Sequence, residues 1–459
     1  MKKNNNIYKI LGASAALFML SCNNDLDQTP PNIPSADSLT EFSEVLNAAY
    51  FYQHASATPI AVMGDFRADN ALMYEEPYPA FDRFNADLAG GDLEDQFFAP
   101  IYTDLYNSIL SVNNVINNSS ETVEVGEALF LRALSYFKLV IVFGDVTVNL
   151  DATPTKETID STRQPAEDIY NQIIIPDLEG AIEALDGSIG EGSLGKGRAS
   201  RLAAQALLGK VYMYLKDFGN AQTYLETAMM EASSLGVVLE ENFADVVTEG
   251  SSEIIYSIPI TTEVGDNYGD TEFESWFAGN DTKSNFPVDI DLVNAFDASS
   301  ASGNEDLRKN LTVGETTSTE TTQTSGTKGV KYPAGPEQDY VELRLSDIVL
   351  LYAEALNENG SSSAEVLALL DPIRTRAGLD PLNPAVINTQ AMVAQAIQDE
   401  RRLELAFEGQ RWFDLVRTGT VNAEMGEPEP IDPVYNLFPI PNFNILATGG
   451  IITQNPGYE

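Results

Sequence analysis

Between residues 201 and 234 the chain carries a spacing that few folds can use. Leu208, Gly209, Val211 and Tyr212 are followed, nine places after the tyrosine, by Ala221, and then by Leu225 and Ala228. This is the spacing of a tetratricopeptide repeat, a helix pair of 34 residues in which small residues let two backbones approach and large ones fill the groove between them. The run KDFGNA supplies the turn. A looser pair occupies 343–378, where Asn359-Gly360 ends the first helix as a glycine cap. Apolar residues recur at helical intervals in 105–118, 124–144 and 165–186, and only IIYSIPI, 254–260, reads as a strand. The expected fold is mainly α: tetratricopeptide-repeat-like helical pairs forming one body, with long loop excursions and few short strands.

The Thr/Ser/Gly-rich run 313–329 reads as a polar surface loop. It divides an amino-terminal helical region, 35–312, from a carboxy-terminal one, 330–459, within one packed body. A chain of 459 residues that is 43% hydrophobic can bury a core of that size.

Composition excludes several chemistries. The chain has one cysteine, Cys22, and one histidine, His54, so a single copy builds no disulfide framework, zinc cluster or Cys-His nucleophile. His54, at the polar end of an apolar run, reads as a structural residue and not as a base. Acids outnumber bases 69 to 26, for a formal charge of -43, which repels nucleic acids and anionic lipid. No cofactor is called for. Short acid runs could ligate a structural calcium, but none has EF-hand spacing, so no metal site is assigned.

The first 21 residues read as a lipoprotein signal peptide. Lys2, Lys3 and Lys9 form a basic front, 10–20 an apolar stretch of 11 residues, and Ser21 a small residue before the cleavage point. Eleven residues are too few to span a bilayer as a helix, which takes about 20. MLSC, 19–22, resembles a bacterial lipobox, which implies lipidation of Cys22. The polar, proline-bearing segment 22–34 is then a flexible tether.

The densest charge lies in ERRLELAFEGQRWFDLVRTG, 400–419. Read as one helix, it places Glu404 and Glu408 on the same face, superficially a glycosidase pair. Such a pair must flank a sugar from two sides, which neighbours on one helix cannot do. Arginines 401, 402, 411 and 417, interleaved with Glu400, Glu404, Glu408 and Asp414, are read instead as partners in buried ion pairs between helices, with Gly409 permitting a close backbone approach.

Several blocks in order resemble the RagB/SusD family: FLRALSYFKLVIVFGDV (130–146), GRASRLAAQALLGKVYMYLKDFGNA (197–221), RLSDIVLLYAEALNENG (344–360), IRTRAGL (373–379), the charged stretch itself, and LFPIPNFNI with ITQNPGY near the end. The resemblance spans essentially the whole chain after Cys22. It implies a non-enzymatic outer-membrane lipoprotein, lipid-anchored and facing outward, that binds glycan at the cell surface as a lid over a SusC-like TonB-dependent transporter.

The family pattern lapses at 63–91 and 266–286, where specificity is expected. Sugar recognition needs aromatic faces for stacking, ringed by planar polar groups. The first stretch offers Tyr74, Tyr78 and Phe81 beside Asn70 and Asp82, and the second offers Trp276 with Tyr268 and Asn280. Trp276 and a tyrosine from 74 or 78 are the expected glycan platform. An oligopeptide-binding lid of the same family, a tetratricopeptide-type protein scaffold and a lipoprotein glycosidase are the competing readings.

Overall fold

Ser200 and Asp217 each cap a helix, their side chains accepting from the amides of Ala203 and Asn220, and the helices run Arg201–Tyr214 and Phe218–Ser234. Each cap satisfies an amide that a helix start leaves orphaned. The packing code acts between them. A Cβ on Gly209 would stand 2.6 Å from the Leu225 side chain, while Ala221, Leu225 and Ala228 are buried. The second expected pair forms Leu345–Glu358 and Ser363–Arg376, with Gly360 at φ 83° and the Ser361 amide returning to the Leu356 carbonyl at 2.9 Å.

This computed structural model describes residues 42–459 apart from 74, 156–158, 188–194, 261–272, 274–275, 278–287, 301–303, 316–326, 334–337 and 427. The signal peptide, Cys22 and the tether lie outside the described residues. Residues 42–459 form one unit.

The helices stack nearly in chain order. Phe42–Tyr52 packs on Ala99–Asn118, that on Thr122–Phe143, and that on Ile175–Ala184. The series continues through the tetratricopeptide-like pair to Leu345–Glu358, which packs on Ser363–Arg376 and Gln390–Glu404. Amphipathic helices of this kind bury their apolar stripes by lying on neighbours, so one core runs the length of the stack. The IIYSIPI run forms the strand Ile254–Ile258, paired antiparallel with Tyr340–Arg344 inside the body. Among the described residues no helix is long and apolar enough to cross a membrane.

Two expectations are corrected. The segment 313–329 is not wholly loop, because Val313–Glu315 and Thr327–Gly329 pair antiparallel as the stem of a hairpin. Nor is 400–419 one helix. Gln390–Glu404 ends there, a turn follows, and a second helix runs Arg411–Thr418. The cause is tertiary. Asp65, at the end of helix His54–Asp65, accepts from the amides of Phe407 at 3.0 Å and Gly409 at 2.8 Å, holding both residues at positive φ, 65° and 74°. Gly64 next to it completes the contact, since a Cβ there would lie 2.2 Å from the Gly409 backbone.

Candidate functional site

Despite the break, Glu404 and Glu408 converge on one cation. Glu404 accepts from Arg344 at 2.8 Å and Arg308 at 3.3 Å, and also pairs with Arg376. Glu408 takes two bonds from Arg344, at 2.7 and 2.8 Å, and pairs with Lys331. Beyond them Arg401 bridges Asp347 and Asp414, Arg417 clasps Glu354, and Arg411 holds Asp69 through two bonds of 2.7 and 2.9 Å. Burial alone would raise the Glu404 pKa, but Arg376, Arg344, Arg308 and Lys331 outweigh it and hold the group at about 2. A general acid needs a transferable proton and an open approach. Glu404, buried and held charged by its cations, has neither, and Glu408 is buried beside it with no open approach.

The two loop stretches lie elsewhere. Of the second only Phe273, Trp276 and Phe277 are among the described residues; Trp276 meets the first stretch, and Val288 and Asp289 just beyond the second do so as well. Ala71 and Val288 form an antiparallel bridge, the Asp289 amide donates to the Asn70 carbonyl at 2.9 Å, and Trp276 meets Tyr78 edge-on at 4.9 Å. Tyr78, Phe81 and Trp276 all surround Phe97, with centroid separations of 6.4, 5.3 and 5.6 Å. Phe66 adds a further edge contact with Trp276 at 5.5 Å.

That convergence overturns the exposed platform. Trp276 is 0% and Phe81 1% exposed, so neither ring offers a free face to a pyranose. The rings bury more apolar surface against Phe97 than either loop could by displaying them, and edge-to-face contacts add to the gain. Asn70 is also buried, donating to Asp65 at 2.8 Å and accepting from Arg402 at 3.2 Å, so it fastens the loop to the ion-pair frame. Two nominated residues stay at the surface. Tyr78 is half-buried with its hydroxyl donating to Gln96 at 3.2 Å, and Asp82 is exposed. Tyr74, Tyr268 and Asn280 lie outside the described residues.

Asp82 has open surface, yet crowding by neighbouring atoms and the Asp289 carboxylate push its pKa up to about 6, against the pull of Arg67. Asp289 is raised as well, mainly by loss of solvent. Among the described residues no group of three or more His, Cys, Asp or Glu is placed to hold a metal ion. His54 is buried, edge-on to Phe51 at 5.3 Å.

Sequence reasoning missed Phe97 and Arg67. Phe97 is one of an adjacent phenylalanine pair, 97–98, a signal that was available. Arg67 is fully buried, donating to the carbonyls of Phe81 at 2.7 Å and Tyr435 at 2.8 Å, with its guanidinium 4.2 Å from the Phe84 ring. Nothing local distinguishes it from a surface arginine.

Two family models match the chain: one described as the SusD family over residues 261–458, the other as starch-binding associating with outer membrane over residues 20–213. A curated relative, SusD-like protein P2 of Formosa agariphila, is 24% identical and aligns over 98% of this chain and 99% of its own length. Among solved structures, a laminarin binding SusD-like protein superposes with a TM-score of 0.76 at 24% identity, covering 92% of this chain and 99% of that one. Surface glycan-binding protein A from Bacteroides thetaiotaomicron, in complex with laminarihexaose, gives 0.71 at 19% identity over 90% and 98% of the two chains.

Proposed function

Because the chain belongs to the SusD/RagB family, we propose that it is a cell-surface glycan-binding lipoprotein, anchored through Cys22, which captures oligo- or polysaccharide and passes it to a partner TonB-dependent outer-membrane transporter. The observation that supports the ligand site is the contact of Tyr78 with Trp276, next to the bridge of Ala71 to Val288, with Tyr78 and Asp82 left at the surface. Tyr78 leans on Trp276 and Phe97, so its ring is held in place before a ligand arrives, and little side-chain entropy remains to be lost. Asp82 can accept from sugar hydroxyls beside it. Trp276, Phe81 and Asn70 are positioning residues in this reading, and Tyr74, Tyr268 and Asn280 remain candidate contacts on the same two loops.

The role is binding and not hydrolysis, because the carboxylates that could imitate a hydrolytic pair share Arg344. A chain of charge -43 favours neutral over polyanionic glycans. Laminarin and laminarihexaose name the ligands of two proteins of the same fold, so a neutral glucan is the first to try. Calorimetry with laminarihexaose, an oligogalacturonate and a peptide pool tests the reading. Laminarihexaose should bind the parent and lose about tenfold in affinity with Tyr78→Ala, the scale of one good aromatic contact. Binding of peptides alone would move the assignment to an oligopeptide lid, and co-purification of a TonB-dependent transporter from solubilised membranes tests delivery.

A further inference from the structure

We propose that Gln96, which lies in neither loop stretch, is a further glycan-contacting residue: its side-chain amide donates to a ligand hydroxyl oxygen at the edge of the Tyr78 ring. The inference rests on the reading above that a neutral glycan is bound beside Tyr78.

Gln96 is placed by a wide turn at the entry to helix Ala99–Asn118. The Ala99 amide bonds back five residues to the Glu94 carbonyl, so Glu94–Phe98 is a π-helical turn. Such turns are rare and recur at functional sites. This one is fastened from outside, because the Glu94 carboxylate accepts from the Asn442 backbone amide and side chain, both at 2.8 Å. The turn brings two neighbours to Tyr78. Phe97 packs edge-on against the Tyr78 ring with centroids 6.4 Å apart, and the Gln96 side-chain carbonyl accepts from the Tyr78 hydroxyl at 3.2 Å. The amide is therefore positioned before a ligand arrives, and little side-chain freedom is left to lose.

The other half of that amide is uncommitted. Gln96 is half-buried, and the bond from Tyr78 is the one its side chain makes among the described residues, so its Nε2 hydrogens are left to water. Exchanging that water for a ligand oxygen breaks no bond within the protein.

A donor held beside an aromatic ring calls for an acceptor oxygen at the rim of an apolar face. A pyranose has that form, with C–H groups for the Tyr78 ring and hydroxyl oxygens around its edge. Glu75 and Asp82 on the Tyr78 segment and Asp95 on the turn are exposed, so an anionic acceptor is repelled and a neutral hydroxyl is not.

Calorimetry with laminarihexaose and maltohexaose in a double-mutant cycle tests it. Gln96→Ala should weaken binding of the hexaose that the parent takes about fivefold, the scale of one neutral hydrogen bond, at an unchanged urea midpoint. Tyr78→Phe keeps the ring and deletes the hydroxyl. A direct contact is lost in that background too, so adding Gln96→Ala to Tyr78→Phe should weaken binding by about the same factor. A loss seen only when the hydroxyl is present would make Gln96 a support for Tyr78 and overturn the contact, and so would full affinity in Gln96→Ala. If Tyr78→Ala weakens binding and Gln96→Ala does not, this inference alone fails. If Gln96→Ala weakens it in both backgrounds and Tyr78→Ala does not, the ring contact fails and the amide stands. A parent that binds neither hexaose overturns both.

Discussion

Glu404 and Trp276 are equally hidden, each with no exposed surface, but by different means. Glu404 is enclosed by Arg308, Arg344 and Arg376, drawn from three separate segments, through bonds with fixed donors and acceptors. Trp276 is enclosed by the rings of Phe66, Tyr78 and Phe97, through contacts that have area and tilt but no donor count. A saturated ion network tolerates no change at any member, because each deletion strands a partner charge in the interior. A ring cluster tolerates repacking, because its contacts have no fixed donors and acceptors to strand. Charge density therefore marks where the body is fastened, and the margin of the aromatic cluster, where Tyr78 and Asp82 reach the surface, is where the proposed ligand contact would lie.

The largest expected effect breaks the charged side of this contrast. Glu404→Ala leaves three guanidiniums without a shared carboxylate and should cost about 3–5 kcal/mol by urea denaturation. Laminarihexaose affinity, measured on the folded fraction, should not change. Normal stability with lost binding would make Glu404 a ligand residue after all. On the aromatic side, Trp276→Ala should cost about 3 kcal/mol by opening a cavity beneath Tyr78. Binding should weaken with it, and Trp276→Phe should restore most of both. If Trp276→Ala abolished binding at full stability, the tryptophan would be a direct contact and its burial in the unliganded protein would not be its working state.

How much of this was legible in the sequence depended on how local the cause was. The tetratricopeptide-like pair could be read because Gly209 and Leu225 belong to one short segment and its caps are the side chains expected there. The end of the helix at Glu404 could not, since Glu404 and Glu408 fit a continuous helix perfectly well and the residues that break it, Gly64 and Asp65, lie far earlier in the chain. The hairpin stem at Val313–Glu315 and Thr327–Gly329 was hidden by a composition that suits a loop as well as an edge pair. For the candidate site, both stretches were singled out because the family pattern lapses there, and Trp276 of the second touches Tyr78 of the first. Which ring faced outward was not legible: an exposed platform and a buried cluster have the same composition, and Phe97, which decides between them, sits in neither stretch.

The smallest expected effect sharpens the contrast at the rim. Asp82 keeps its proton in the folded protein up to about pH 6, against an ordinary value of 3.8. Below about pH 4 the group is protonated in folded and unfolded chains alike and contributes nothing. Through roughly pH 4 to 6 the folded state binds more protons than the unfolded one, so stability falls as pH rises, and above about pH 6 the whole penalty is present. Asp82→Asn removes that penalty, so its urea midpoint should exceed the parent's at about pH 7 and match it at about pH 4. Solvent at the open side of the carboxyl screens the effect, so the gain should be smaller than the pKa change alone implies. Ligand binding should run the other way: a charged Asp82 accepts sugar hydroxyls better than a protonated one, so laminarihexaose should bind the parent more tightly at about pH 7 than at about pH 5, and Asp82→Asn should lose that dependence. A parent whose affinity is flat across this interval would place Asp82 in the frame that shapes the rim and leave Tyr78 to meet the ligand without it.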